Sequence, residues 1–451
     1  MGISSITSDG KRVVLNQLKQ DLDSASSNYY LGLSGADSSS AGLFNQTQAR
    51  NEMHFLKKVS GNSFVVETYN WTSGQVYNAY NSNDITQEKF YVANANNEVF
   101  LCVETAKNSS GVVQGSTIEP TSARARSYDS LQRSFATGDG YIWRYLYKLT
   151  GAAVNRFKSN DFMPVKKITG SAGSIEAQEQ QNLQNNSIGG EIIGIEIDSG
   201  GNGYLFTPRI DISGNGSGAA FSCTLDDGVI VKITVDSDAT ASNGHRLTHG
   251  TGYDYATVVP SAGNASLKPI FAPKNGVTRD PIVTLRSDKL MVQTTIQGDE
   301  NNSIPLADPA NDFKQVALIR NPLEHDSVGK YKGFAGNAMH YFTVSGGSGN
   351  FTADEIFENT SQVRGKTYWH DTTNNYLYYV QNDSTGFGEF VPTQTISSTT
   401  TSTSKVIDAI NNPTIDRYSG DIMYINNLDD AISRSSSQSE DFRVVIDLGN
   451  D

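Results

Sequence analysis

His245 and His249 stand four residues apart, with Asp254 close behind them. On a helix that spacing puts two imidazoles on one face, where a nearby carboxylate could complete a transition-metal site. Ser242-Asn243-Gly244 precedes the pair and Gly250-Thr251-Gly252 follows it, so no helix is expected there. The pair is therefore read as solvated loop histidines, with a loop metal site as the alternative. Asp198, Asp211, Asp226, Asp227 and Asp236 could offer oxygens to Ca²⁺, but they follow neither EF-hand nor nonapeptide spacing and read as exposed turn carboxylates. Gly200-Gly201-Asn202-Gly203 and Gly214-Asn215-Gly216-Ser217-Gly218 could suggest a phosphate cradle. A cradle must open a helix and, in the Walker form, carry Lys-Ser/Thr, whereas here Tyr204 and Ala219 lead into strands. Cys102 and Cys223 flank nothing that looks like a base, and neither Gly-x-Ser-x-Gly nor His-Glu-x-x-His occurs. The expectation is a chain with no catalytic residue, no metal and no cofactor, and not an enzyme.

The aromatic residues are the other chemistry-bearing set. Tyr141, Trp143, Tyr145 and Tyr147 recur every second residue, and Tyr376, Tyr378 and Tyr379 form a second strip. Both could stack sugars, but as strand residues they are read as core and interface, where Tyr and Trp bury a large ring and keep a polar tip. The first strip follows the tight turn Gly138-Asp139-Gly140, and Ile142 to Lys148 alternates as a strand in a packed sheet.

The composition limits what such strands can belong to. With 451 residues, two or three structural units are expected. A charged fraction of only 18% with 21 Tyr and 41 Gly fits a β-rich structural protein rather than a disordered one. The formal charge of −13 argues against nucleic acid as a partner, because phosphate binding relies on clustered Lys and Arg. Two distant cysteines provide no disulfide framework and suit a reducing compartment. The N-terminus has no apolar h-region and no stretch reaches the ~20 apolar residues of a span, so a soluble protein made in a cytosol, with no membrane partner, is expected.

Along the chain, Asp9 is expected to cap a helix with Val14, Leu15, Leu18 and Leu22 on one face, and Ala41 to Lys58 to form a second helix. Tyr29 to Leu33 and Phe64 to Trp71 read as strands, Ser73 to Ser82 as a polar loop, and Lys89 to Val92 with Glu98 to Glu104 as a hairpin across Asn94–Asn97. Ser122 to Arg133 reads as a basic loop and Val154 to Ile168 as extended.

From Gly189 the pattern changes. Ile193–Asp198, Gly201-Asn202-Gly203-Tyr204, Ile210–Ile212 and Gly214-Asn215 are echoed by Val231–Val235, Gly250-Thr251-Gly252-Tyr253, Val258–Pro260 and Gly263-Asn264. This reads as a duplicated small β unit, each copy too small to fold alone and buried against the other. Tyr341–Val344, Thr367–His370 and Tyr376–Val380 read as strands of another small unit. Thr393 to Ser404 reads as a flexible linker or exposed loop, and Ile422–Ile425 and Phe442–Leu448 as closing strands.

Three phrases, Gly138-Asp139-Gly140-Tyr141-Ile142-Trp143-Arg144-Tyr145-Leu146-Tyr147-Lys148-Leu149, Val316-Ala317-Leu318-Ile319-Arg320-Asn321-Pro322-Leu323-Glu324 and Ser419-Gly420-Asp421-Ile422-Met423-Tyr424-Ile425-Asn426-Asn427, occur in the order seen in a known family. In them the chain resembles the baseplate wedge protein of T-even-type contractile-tailed bacteriophages, the gene product eight family. The resemblance covers roughly 300 residues in pieces, by the logic of inserted domains. It implies a mainly β fold, a β-sandwich core with helical segments on its loops and minor α+β content, plus two inserted small β units. The expected division is 1–186 wedge core, 187–276 inserted duplicated Gly-rich unit, 277–332 wedge core, 333–404 second inserted unit and linker, and 405–451 closing wedge-core strands. It also implies a homodimer that contacts other wedge subunits in the virion's tail baseplate, assembled in the host cytoplasm. The alternative is a carbohydrate-binding or depolymerising tail appendage, with sugars on either inserted unit.

Overall fold

Period-2 alternation bounded by Gly, Asn and Asp turns predicts strands over most of the chain, and the computed structural model is mainly antiparallel β, with 44% strand and 12% helix. The structure describes residues 7–35, 46–128, 134–238, 246–298, 300, 313–432 and 437–449. It divides into two compact units, one of Met1–Val13, Ser63–Lys289 and Gly449–Asp451, the other of Val14–Asn62 and Leu290–Leu448.

In the first unit, strand Ile142–Lys148 lies inside a four-stranded sheet, between Glu98–Glu104 and Ser134–Ala136, with Tyr91–Ala93 at the far edge. Both of its faces are covered, so Arg144 is buried along with the rings. Trp143 stacks on Tyr141 with centroids 5.3 Å apart and meets Tyr77 edge-on at 5.7 Å. The expected hairpin forms across Asn94–Asn97. The Asn94 carboxamide oxygen accepts from the backbone N–H groups of Asn96 and Glu98, and Asn97 takes the left-handed φ of 57° that asparagine tolerates. The polar loop after the second expected strand is pinned by Arg286, whose guanidinium sits over Tyr80 and Phe90 and donates to the carbonyls of Asn81 and Asp84.

The Gly-rich segment of this unit is a set of nested two-stranded ladders. Ile192–Ser199 pairs with Ser266–Phe271, Ile210–Gly214 with Ala256–Pro260, Ser217–Ala219 with His249–Thr251, and Phe221–Asp226 with Val229–Val235. In terms of the repeat, the first strand of one copy pairs with the last of the other and the middle strands pair together. The turns interlock the same way. Tyr204 lies against Gly263 and its hydroxyl accepts from Ala265 N, while Tyr253 lies against Gly216. Asn264 accepts from the backbone of Asn202, and Asn215 from that of Asp254 and Tyr255. A methyl group at Gly263 or Gly216 would enter the ring of the other copy's tyrosine, so both turns need glycine.

In the second unit a five-stranded sheet runs in the order Ala335–Asn337, Met53–Lys58, Tyr29–Gly35, Phe313–Arg320, Asp421–Ile432. The second and third phrases of the sequence are thus hydrogen-bonded neighbours. Leu31, Leu33, Phe55, Phe313 and Val316 cover one face and pack on Ile296, Phe442 and Val444 of a second layer, sandwich fashion. Tyr30, Met53, Leu56, Ala317 and Ile319 cover the other. His340–Ser348, Tyr376–Val380, Arg364–Asp371, Ile356–Asn359, Thr395–Ser398 and Ser404–Asn411 close into a six-stranded barrel. Its neighbour order is Greek-key, and Phe342, Phe357, Leu377, Ile396 and Ile407 fill the interior.

Several local expectations fail for tertiary or capping reasons. The segment expected as a helix from Ala41 to Lys58 holds only the short helix Gln46–Asn51 and then strand Met53–Lys58, because Phe55, Leu56 and Lys57 pair with a strand on each side; residues 41–45 lie outside the described set. Ser122–Tyr128 is a helix rather than a loop, started by Thr121, whose hydroxyl accepts from Arg124 N, and by Glu98, which accepts from Ser122 N; residues 129–133 are not described. Thr150 caps helix Gly151–Phe157 where an extended run was expected. The first helix, Ser8–Asp23, is capped by Thr7 rather than Asp9, and Leu15 and Leu22 are buried while Val14 is exposed. Of the linker and the exposed loop expected over 393–404, the linker fails: Thr395–Ser398 is a barrel strand, and only the exposed turn 399–402 into the last barrel strand fits the loop reading.

Trp143 is fully buried, so Trp143→Ala is expected to cost about 3–5 kcal/mol of stability, with Trp143→Phe recovering part of it. Denaturant melts of both variants measure this; an unchanged midpoint for the alanine variant would remove Trp143 from the core.

Candidate functional site

The residues singled out from the sequence scatter. Asp198 pairs with Lys268 at 3.0 Å, Asp211 with Arg209 at 2.6 Å, and Asp236 accepts from Ser222. Asp226 and Asp227 lie at the turn joining Phe221–Asp226 to Val229–Val235. Among the described residues no three His, Cys, Asp or Glu side chains converge as a metal-holding group. Gly200–Gly203 leaves a strand without opening a helix, and Gly214–Gly218 runs from the end of strand Ile210–Gly214 into strand Ser217–Ala219. Cys102 and Cys223 are both buried and free. His245 lies outside the described residues, and Asp254 is exposed with Asn215 as partner.

His249 departs from its expected place as a solvated loop histidine: it is 3% exposed and belongs to a buried polar cluster that no spacing announced. The alternation of strand Ile142–Lys148 sends Arg144 away from the Trp143 rings. Its guanidinium meets the Glu191 carboxylate as a fork, Nη1 to Oε2 at 2.5 Å and Nη2 to Oε1 at 3.0 Å, and both side chains are 3% exposed. Nε and Nη2 also donate to Ser134 Oγ at 3.0 and 2.8 Å. His249 places Nε2 3.0 Å from Ser134 Oγ and Nδ1 3.1 Å from the Ile192 carbonyl. A carbonyl only accepts, so Nδ1 carries the proton and Nε2 accepts from the Ser134 hydroxyl. The four side chains also line an open cleft of about 400 Å³ with Ile188, Ser217 and Thr251.

A serine hydroxyl aimed at a neutral imidazole has the polarity of a nucleophile–base pair. Two further features turn it toward a clasp. Two Arg144 N–H bonds occupy the serine oxygen, and burial, reinforced by the Arg144 charge, lowers the His249 pKa to about 4, far from a useful base at neutral pH. The cluster joins strands Ile142–Lys148 and Ser134–Ala136 to the Gly-rich segment, which supplies Glu191 and His249. A second joint lies nearby in sequence. Glu104 accepts from Thr234 Oγ1 at 2.9 Å with Lys232 at 3.8 Å, yet burial outweighs both and raises its pKa to about 7.

The second aromatic strip divides. Tyr379 points into the barrel, while Tyr376 and Tyr378 lie half-buried on its outside. Tyr378 is sandwiched between its cross-strand neighbours Trp369, at 5.5 Å and 9° between planes, and Tyr341, at 4.8 Å and 26°. No protein-family model matches this chain, and no curated protein matches it.

Glu191→Ala strands the Arg144 charge and is expected to destabilise by about 3–5 kcal/mol. The same logic predicts that deleting 187–276 gives an aggregating chain, and size-exclusion chromatography of the deletion decides it; a soluble, folded product would make the clasp dispensable.

The two shifted groups pull stability in opposite directions with pH. The His249 pKa is about 4 folded against 6.5 unfolded, so its contribution is present above 6.5 and is lost as pH falls toward 4, about 3 kcal/mol in all. Glu104 is raised to about 7, so its contribution is present below 4.5 and is lost as pH rises through 7. Glu104→Gln is therefore expected to gain stability over the parent at pH 8 and to lose that advantage near pH 4.5. Denaturation midpoints across that range test this; a constant difference between the two proteins would refute it.

Proposed function

We propose that this chain is a structural subunit of a phage tail baseplate wedge, working with a second copy of itself and with other wedge subunits in the virion. The observation that carries the reading is the ordered set of three phrases. Each contains a paired strand: Ile142–Lys148 inside the aromatic sheet, and Phe313–Arg320 beside Asp421–Ile432 in the five-stranded sheet. The mechanism is mechanical. Large packed surfaces hold neighbours in the plate before contraction, and exchanged contacts let the plate change shape without any covalent step.

The runner-up is a carbohydrate-binding or depolymerising appendage, favoured by the outward row Trp369, Tyr378 and Tyr341. A sugar stacks on an open ring face, and both faces of Tyr378 are already taken by its neighbours. This weakens the reading without touching the wedge proposal.

Antibody against the chain should decorate the plate of isolated tails in electron micrographs, and its absence from purified tails would overturn the proposal. Sedimentation at micromolar concentration is expected to give a dimer. Glycan arrays and a reducing-sugar assay are expected to be blank, and clear binding or turnover would promote the appendage.

A further inference from the structure

The last two described strands leave an opening in the second unit's sandwich. Asp421–Ile432 is the edge of the five-stranded sheet, and among the described residues it pairs only with Phe313–Arg320. Ser439–Asp447 belongs to the second layer, beside Lys289–Gln297, and is the edge strand there. The two strands thus diverge into different sheets. Between them lies a groove of about 460 Å³, floored by Phe313 and Val316 and walled by Leu428, Ile432, Phe442 and Val444.

Burial shows how incomplete this edge is. Phe313–Arg320 is buried at six of eight positions, whereas no described side chain of its neighbour Asp421–Ile432 is buried. Met423 is 46% and Ile432 39% exposed. Strand edges left to solvent are commonly interrupted by charge or proline. Ile422 to Leu428 carries neither, so seven consecutive uncharged residues lie on an edge that no second described strand pairs, beside the groove. Among the described side chains, residues 421–447 carry the carboxylates of Asp421, Asp430, Glu440, Asp441 and Asp447 against the guanidinium of Arg443. Glu440, Asp441 and Arg443 line the groove itself, with Arg443 3.6 Å from Asp441, so the lining stays acidic by one charge.

We propose that this edge is a docking site for an extended segment of a different protein, apolar at alternate positions and flanked by Lys or Arg, which adds a strand to Asp421–Ile432 and sets its side chains into the groove. Backbone pairing supplies affinity in such strand addition, and the pockets for alternate side chains supply selectivity. The acidic rim selects a basic segment and disfavours a second copy of this edge, since like rims repel. The inference stands apart from the wedge reading, because it needs only the open edge, the groove and the charge.

The test uses the full chain and two synthetic probes, a short alternating Val-Thr peptide flanked by lysines and its twin flanked by glutamates. Fluorescence anisotropy is expected to show the glutamate twin binding about tenfold or more weakly, the weight of one or two screened charge contacts. Hydrogen exchange is expected to slow within 421–432 when the lysine peptide is bound. Leu428→Asp should abolish binding, and Asp430→Lys, an exposed change that leaves the apolar packing alone, should weaken it with an unaltered melt. Equal affinity for both peptides, unchanged exchange in 421–432, or protection there that rises with the chain's own concentration would each overturn the proposal.

Discussion

A guanidinium cannot be taken out of water alone, and Arg144 is out of water. In a medium of low dielectric an unpaired charge costs several kcal/mol, more than any single packing contact returns. Its fork therefore fixes where the Glu191 carboxylate must be, and with it the start of strand Ile192–Ser199. The remaining N–H groups set Ser134, Ser134 sets His249, and the Ile192 carbonyl closes the circuit. Removing any one member leaves another buried and unsatisfied, so the cluster imposes register between the aromatic sheet and the Gly-rich segment more than it adds net stability. His249 is held neutral by the same burial that makes Arg144 need a partner.

Within the Gly-rich segment the constraint is one of fit. Each copy of the repeat has too few apolar residues to cover itself, and its tyrosine needs a glycine turn to lie on. Tyr204 and Tyr253 find those turns in the opposite copy, and Asn264 and Asn215 supply the acceptors that the turn backbones lack. The exchange is reciprocal, so one copy without the other would expose a ring and leave backbone donors unpaired. That dependence gives a physical reason for the pairing of first strand with last and middle with middle.

How much of this could be read from the sequence depends on the range of the interaction. Alternation and turn chemistry are local, and they located Ile142–Lys148, the Asn94–Asn97 hairpin and the repeat of Gly-x-Gly-Tyr with Gly-Asn. Capping is local too, yet the basic and mixed runs after Thr121 and Thr150 mask the helices that these residues start. The apolar spacing of Met53–Lys58 suits a helix as well as a strand, and only the two flanking strands decide between them. The clasp carried no local signal. Ser134, Arg144, Glu191 and His249 are spread over more than a hundred residues, and His249 had a closer apparent partner in His245. The one hint was an arginine alternating with aromatic residues in a strand whose neighbours cover both faces.

The chain deals with strand edges in two contrasting ways. The barrel closes on itself, so even its Thr/Ser-rich hairpin, which looks unstructured by composition, has a partner on each side. The Gly-rich ladders are short two-stranded pairs. The sandwich does neither: its long terminal strands enter separate sheets and leave apolar side chains half-covered. An edge of that kind is a liability in an isolated chain, because it invites indiscriminate pairing. It becomes an asset only if something of complementary charge completes it. Acidic residues at the ends of an uncharged central run reconcile the two demands: they repel like edges while the chain is alone, and they leave the middle of the strand free to accept a basic partner.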